Sequence, residues 1–308
     1  MNLFRILTAI LLFIGMPLKS ESEQTFWNYA VDSSLKKWPL SSWTKILPKS
    51  HTLCYTGTYI LSDGKIRSFV LSKKLISLSQ KYQVRLIPLI TTSQGDSLFL
   101  KSEKNFQTAV DNLIRLLEQN QHLAGLHLDL ESIPKSYVSN YVRFLRTLKS
   151  KLPKNKLLTV ALFPQIGFPN PNYKIHSVLI DQEFIDEFVL MSYDLHSPKT
   201  KPGAVTSLSW TRENLNFLLE KIPSSKLWLG LPLYGYFWKQ NGKVRIITKK
   251  ELEKQPSGLE ITSNPDGYQI LKDKNGIGSI SDFNAFKKFE ELAFEFQLKG
   301  IAYWRLGF

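Results

Sequence analysis

The sequence predicts an α/β fold, a closed (β/α)8 barrel with a small lobe inserted between its seventh strand and its last helix. Three observations lead there. About eight apolar runs of strand length recur along the 308 residues, most of them separated by segments of helical spacing. The run Leu123 to Glu131 alternates Leu126, Leu128 and Leu130 with His127, Asp129 and Glu131, so its two faces differ in kind. Helical patterns flank that run, with Phe106, Val110, Leu113 and Leu117 before it and Val138, Tyr141, Val142, Leu145 and Leu148 after it. A strand between two amphipathic helices is a parallel crossover strand, covered on its outer face. In a closed barrel the other face points inward, and side chains at C-terminal strand ends build the active site. The plainer alternative, an edge strand with a solvated polar face, does not account for a helix on either side.

The elements follow in order. Met1 to Ser22 reads as a signal peptide: Arg5 supplies the positive charge, Ile6 to Leu18 the apolar core, and Ser20-Glu21-Ser22 the small residues for cleavage. The apolar run is short for a membrane span, and an uncleaved N-terminal anchor is the alternative. Residues 23–308 are then the barrel unit. Gln24 to Ala30 predicts the first strand, and Ser33 to Pro48 a loop or short helix. Leu53 to Ile60 is a strand closed by a turn at Ser62-Asp63-Gly64. A helix over Val70 to Tyr82 leads to the strand Val84 to Ile90, and a polar loop leads to the helix ending near Gln119. After the 123–131 strand and its following helix come a continuous apolar strand, Leu157 to Leu162, and a proline-rich stretch, Phe163 to Pro171. Phe188 to Tyr193 and Leu227 to Tyr234 are further strands, with a helix near Thr211 to Lys221 between them. Residues 239–280 are polar, with Asn-Gly and Asp-Gly turns, and form the inserted lobe of hairpins. Phe283 to Leu298 is the last helix and Ile301 to Trp304 the last strand.

Composition narrows the chemistry. Cys54 is the only cysteine, so no intrachain disulfide forms, and its apolar setting reads as an inert core residue. The formal net charge is +14, which suits an anionic partner. The lysines are scattered and carry no nucleic-acid motif, so an acidic cell-wall polymer is the expected partner, not nucleic acid, with a basic surface for solubility alone as the alternative. The five histidines have no metal-ligand spacing, and neither a G-x-S-x-G elbow nor a phosphate-binding glycine loop is present. No metal and no cofactor are expected.

Strand ends carry the groups that point to a substrate. Met191-Ser192-Tyr193-Asp194 ends one strand, Tyr234-Gly235-Tyr236-Phe237-Trp238 follows another, and Trp304 ends the last. Aromatic rings and carboxylates gathered at one barrel mouth suit a sugar ring, which has an apolar face and polar edges. The 123–131 segment resembles the fourth-strand signature of family 18 glycoside hydrolases, D-G-x-D-x-D-x-E. Met191 to Asp194 resembles that family's M-x-Y-D, Leu229 to Gly235 its seventh strand, and Gly300 to Trp304 its last. The ending Trp304-Arg305-Leu306-Gly307 and the Tyr55 to Ile90 block are similar to the bacterial branch containing spore-cortex and peptidoglycan N-acetylglucosaminidases.

The resemblance implies roles. Glu131 would be the general acid and later the base, and Asp129 would orient the substrate's own N-acetyl group. Tyr193 would hydrogen-bond that group, Trp304 would floor the sugar site, and Asp194, with Met191, Tyr234 and His127, would complete it. The implied reaction is substrate-assisted cleavage of β-1,4 bonds at N-acetylglucosamine with retention of configuration. The expected polymer is peptidoglycan, with chitin or chito-oligosaccharides second, and a non-catalytic lectin on the same barrel is the rival. The expected location is secreted, periplasmic or at the cell envelope. Two positions depart from the signature: Ala124 and His127 stand where it has aspartates. His127 is expected to donate a hydrogen bond to Asp129, or to carry a positive charge that keeps Asp129 ionised; the plain alternative is a core histidine with its ring nitrogens satisfied.

Overall fold

The computed structural model describes residues 26–93, 97–171, 173–254 and 258–308. The signal-peptide reading of Met1 to Ser22 lies outside the described residues. Among the described residues, no helix is long and apolar enough to cross a membrane.

Eight parallel strands close into a barrel. They are β1 (Phe26–Ala30), β2 (Ser50–Ile60), β4 (Arg85–Thr92), β5 (Gly125–Leu128), β6 (Leu157–Leu162), β7 (Glu187–Met191), β8 (Leu227–Pro232) and β14 (Gly300–Leu306), and pairing of β1 with both β2 and β14 closes the ring. A two-residue strand, β3 (Ile66–Arg67), folds back antiparallel on β2. Helices α1 (Asp32–Lys37) and α2 (Leu40–Ile46) follow β1, so the first connection is helical but broken by Pro39. Then come α3 (Lys73–Lys81), α4 (Glu103–Gln119), α5 (Val138–Lys151), the short α6 (Tyr173–His176) and α7 (Leu208–Leu219). Ser72 caps α3 and Ser207 caps α7, each hydroxyl accepting a backbone N–H three residues on.

The alternation read from the sequence sorts the side chains. Outward residues such as Leu126, Leu128, Leu158, Val160 and Leu229 pack with helix residues Phe106, Leu113, Phe144 and Leu148 in the main core. Inward residues Trp27, Tyr29, Cys54, Ile87, Leu89, Val189, Trp228 and Ala302 fill the barrel interior, which is packed solid. At the N-terminal end of the barrel, Glu187 receives two hydrogen bonds from Arg85, at 2.7 and 3.0 Å, and one from the Trp228 indole at 2.8 Å. Lys299 lies 2.7 Å from the same carboxylate.

Three strands differ from the sequence expectation. β5 leaves its ladder after Leu128, because β4 pairs with it only at Leu89↔His127 and Ile90↔Leu128. Asp129 keeps one backbone bond to Ile90, and Glu131 sits in the loop beyond. β7 likewise ends at Met191, since Ser192 and Tyr193 turn back on the carbonyls of Leu190 and Met191. The expected strand from Leu227 to Tyr234 is two strands. Pro232 offers no N–H, Leu233 bonds to the Trp304 carbonyl at 2.7 Å, and Tyr234 starts another sheet.

That second sheet is the lobe. It holds β9 (Tyr234–Lys239), β10 (Val244–Thr248), β11 (Glu260–Asn264), β12 (Tyr268–Asp273) and β13 (Gly276–Ser281), in the order β10-β9-β13-β12-β11, all antiparallel. It also carries α8 (Lys249–Glu253), opened by a capping box between Thr248 and Glu251. The lobe therefore begins at Tyr234, five residues before the position read from polarity, because β9 is aromatic. Helix α9 (Phe286–Glu295) returns the chain to β14.

Candidate active site

A cleft of about 590 Å³ opens at the C-terminal end of the barrel. Its lining includes Glu131, Phe163, Met191, Tyr193, Asp194 and Tyr236. These come from the end of β7, the loops after β5, β6 and β7, and the lobe strand β9, so the chain's folding alone brings them together.

Glu131 is open to the cleft. Burial pushes its carboxyl above the ordinary value of 4.5, the charge of Asp194 pushes the same way, and the ammonium of Lys199 opposes both. Asp129 lies deeper. Burial first, and the Glu131 charge second, hold it well above the usual carboxylate range. Its buried Oδ1 has no hydrogen-bond partner among the described residues. A buried acceptor without a donor is costly, and Asp129 itself lies behind Glu131, outside the residues that line the cleft.

The loops around the acid are braced. His176 on α6 accepts the Phe163 N–H at Nδ1, 3.0 Å, which leaves its Nε2–H to donate to the Leu130 carbonyl at 3.2 Å. Burial holds this imidazole neutral, with its pKa down at about 4. The ring thereby ties the residue before Glu131 to the cleft wall. Asn214 on α7 accepts the N–H groups of Gln165 and Ile166 at 2.6 and 2.9 Å, fixing the proline-rich stretch. Sequence reasoning assigned no role to His176, and it listed neither Phe163 nor Phe168 as a contact, although Phe163 to Pro171 stood out by its prolines.

Asp194 adopts the left-handed conformation at φ 61°, uncommon outside glycine. Its Oδ1 accepts hydrogen bonds from Tyr234 at 2.6 Å and Tyr236 at 3.0 Å. Burial raises the Asp194 carboxyl, and the two phenols pull it back down. Tyr234 is thus a buried holder of Asp194 and not itself part of the cleft wall. Tyr193 lines the cleft with its ring edge-on to Tyr234 at 6.4 Å. Gly230 on β8 makes room for it, since a Cβ there would meet the Leu190 carbonyl at 2.4 Å and the Tyr193 ring at 3.4 Å. Trp304 stands edge-on to Tyr29 at 5.1 Å and packs with both the interior and the mouth residues.

His127 takes the plain reading, a satisfied core histidine, and the roles toward Asp129 and the sugar are overturned. The ring is fully buried and lines no part of the cleft. The Thr159 hydroxyl donates to the Leu126 carbonyl at 3.2 Å, so it accepts from His127 Nδ1 at 2.8 Å. His127 Nε2 then accepts from the Tyr29 hydroxyl at 2.9 Å. Both nitrogens are satisfied by a neutral ring, and burial holds the pKa down at about 3. His127 neither donates to Asp129 nor brings a positive charge, and it is not a sugar contact. It is a core plug beneath the site.

Among the described residues, no cluster of His, Cys, Asp or Glu could hold a metal ion. A solid parallel barrel with an elevated acid at one strand end, flanked by carboxylates and aromatic rings, defines the class of barrel suited to acid chemistry on a sugar. The model of Glycosyl hydrolases family 18 matches residues 20–305, and the chain belongs to that family. It is 23% identical over 196 residues to a cortical fragment-lytic enzyme of Bacillus anthracis, covering 61% of this chain and 45% of the relative. The chain spans about half the length of the curated relatives it matches. In fold it is similar to the spore cortex-lytic enzyme SleL of Bacillus megaterium QM B1551, with TM-score 0.78 and 21% identity over 92% of this chain and 71% of that one. It is equally similar to a chitinase of Chromobacterium violaceum ATCC 12472, with TM-score 0.79 and 18% identity over 92% and 94%.

Proposed function

We propose that this chain is a glycosidase that cleaves β-1,4 bonds beside N-acetylglucosamine, with peptidoglycan as its polymer, at the cell envelope. The observation that carries the reading is Glu131: an accessible carboxyl at the barrel mouth, its pKa raised above the ordinary value by burial and by the charge of Asp194. A general acid needs that property near its working pH. Glu131 protonates the glycosidic oxygen, then takes the proton from the attacking water. Asp129 turns toward the acetamido group once substrate fills the cleft, accepts its N–H, and steadies the positive charge of the acetamido-derived ring as the Glu131 proton is passed to the leaving oxygen. Tyr193 donates its hydroxyl, which has no partner among the described residues, to the same acetamido group. Asp194, held by Tyr234 and Tyr236, binds the sugar's hydroxyls, and Met191 and Trp304 pack against its apolar face. The relatedness to cortex-lytic enzymes and the +14 net charge favour peptidoglycan over chitin.

The test is mass spectrometry of the products from peptidoglycan and, separately, from chito-oligosaccharides. Fragments with N-acetylglucosamine at the new reducing end are expected from wild type and not from Glu131→Gln, with a loss of about 10²–10⁴-fold in rate. Binding without cleavage by wild type would instead identify a lectin.

A further inference from the structure

The cleft has one feature that hydrolysis of a neutral sugar does not require. Among the described residues, Lys199 is the only basic side chain that lines it, facing a site whose other charged groups are the carboxylates of Glu131 and Asp194. The ammonium is close enough to act on Glu131. It has no ion-pair partner among the described residues.

Lys199 does not ride on a slack loop. The segment after β7 is a closed hairpin-like arch, with Leu195 N–H bonded to the Val205 carbonyl and His196 N–H to the Ala204 carbonyl, both at 3.1 Å. His196 Nδ1 adds a contact to the same Ala204 carbonyl at 3.0 Å. Gly203 allows this closure, because a Cβ there would lie 2.5 Å from the His196 ring. At the tip, Thr200 N–H bonds to the Ser197 carbonyl at 3.0 Å, and the Thr200 hydroxyl accepts the Ser197 N–H at 2.9 Å. Lys199 is the residue this turn presents.

We propose that Lys199 is a specificity residue for a carboxylate carried by the sugar next to the cleaved N-acetylglucosamine, as the lactyl group is in a muramic acid that bears no peptide. The proposal rests on the hydrolase reading above and deepens it. The acidic groups of the cleft offer an anionic glycan no counter-charge, and the ammonium of Lys199 supplies one at a single position. A neutral chito-oligosaccharide has no group for it to meet. The excess of lysine and arginine over acidic residues, 40 against 26, acts in the same direction at longer range.

The experiment compares kcat/KM of wild type, Lys199→Met and Lys199→Arg, at one pH, on three substrates. These are glycan strands with free carboxylates, the same strands with the carboxylates amidated, and chito-oligosaccharides. Lys199→Met is expected to lower the ratio of free to amidated strands about tenfold, the size of one lost charge-assisted contact, and Lys199→Arg to keep most of it. Circular dichroism melting confirms that the variants fold. Equal losses on free and amidated strands, or a wild type that prefers the amidated strands, would overturn the Lys199 assignment while leaving the hydrolase standing. A wild type that cuts none of the three overturns the hydrolase reading and this inference with it.

Discussion

Replacing Glu187 by glutamine removes the charge that two cations share at the closed end of the barrel. The side chain of Glu187 is 3% exposed, against 21% for Arg85 and 32% for Lys299. Burial alone would raise the carboxyl. Hydrogen bonds and charge from Arg85, then Lys299, overcome it and bring the pKa from 4.5 to about 2. A carboxylate with a depressed pKa stabilises the fold above its unfolded pKa, and that contribution is lost as pH falls through the folded one. The gap between 4.5 and about 2 corresponds to about 3 kcal/mol at neutral pH. About 1 kcal/mol of it survives at pH 3. Removing one partner of a buried pair costs roughly 3–5 kcal/mol, and the partial exposure of Arg85 and Lys299 places this case at the low end. Urea denaturation of wild type and Glu187→Gln at pH 7 and pH 3 is the assay. The expected difference is about 3 kcal/mol at pH 7 and less than half that at pH 3. Turnover of the folded variant at 25 °C is expected to match wild type, since Glu187 lies at the barrel end opposite the cleft. A difference below about 1 kcal/mol at pH 7, or one independent of pH, would refute the ion-cluster account.

Two other predictions concern the site. Tyr234→Phe and Tyr236→Phe each remove one hydrogen bond from Asp194, so its carboxyl should titrate at higher pH and kcat/KM should fall by about tenfold per phenol; pH–rate profiles of the two variants check this, and unchanged profiles would detach Asp194 from catalysis. His127 is expected to stay neutral down to about pH 3, so its imidazole NMR signals should not shift between pH 5 and 8, and the pH–rate profile should contain no step from it.

The sequence by itself determined the barrel and the end of it at which Glu131 lies. Period-two leucines around His127, Asp129 and Glu131, between two helical stripes, require a strand covered on one face, and local sterics fix that reading without help from distant residues. The same logic placed Met191 at a strand end, whereas Tyr193 lies in the turn beyond β7 and Trp304 two residues inside the end of β14. Ladder ends were not legible, because a strand stops where its neighbour stops pairing. Nothing local to Leu130 or Ser192 says where β4 and β8 run out. The lobe's start was hidden for a related reason: aromatic β9 reads as a continuation of β8, and only pairing with β10 and β13 separates them.

Protonation and contact were decided by tertiary structure. His127 carries the same imidazole in any context, yet Tyr29 and Thr159, 98 and 32 residues away in the chain, occupy both its nitrogens and make it neutral core. His176 gains its bracing role only because α6 brings it between Phe163 and Leu130. Lys199 looks in sequence like one of many scattered lysines, and the arch after β7 makes it the cation of the cleft. Charge, burial and hydrogen bonding depend on what lies within a few ångströms in space. The order of residues along the chain fixes their chemical type, and the closed barrel fixes their neighbours.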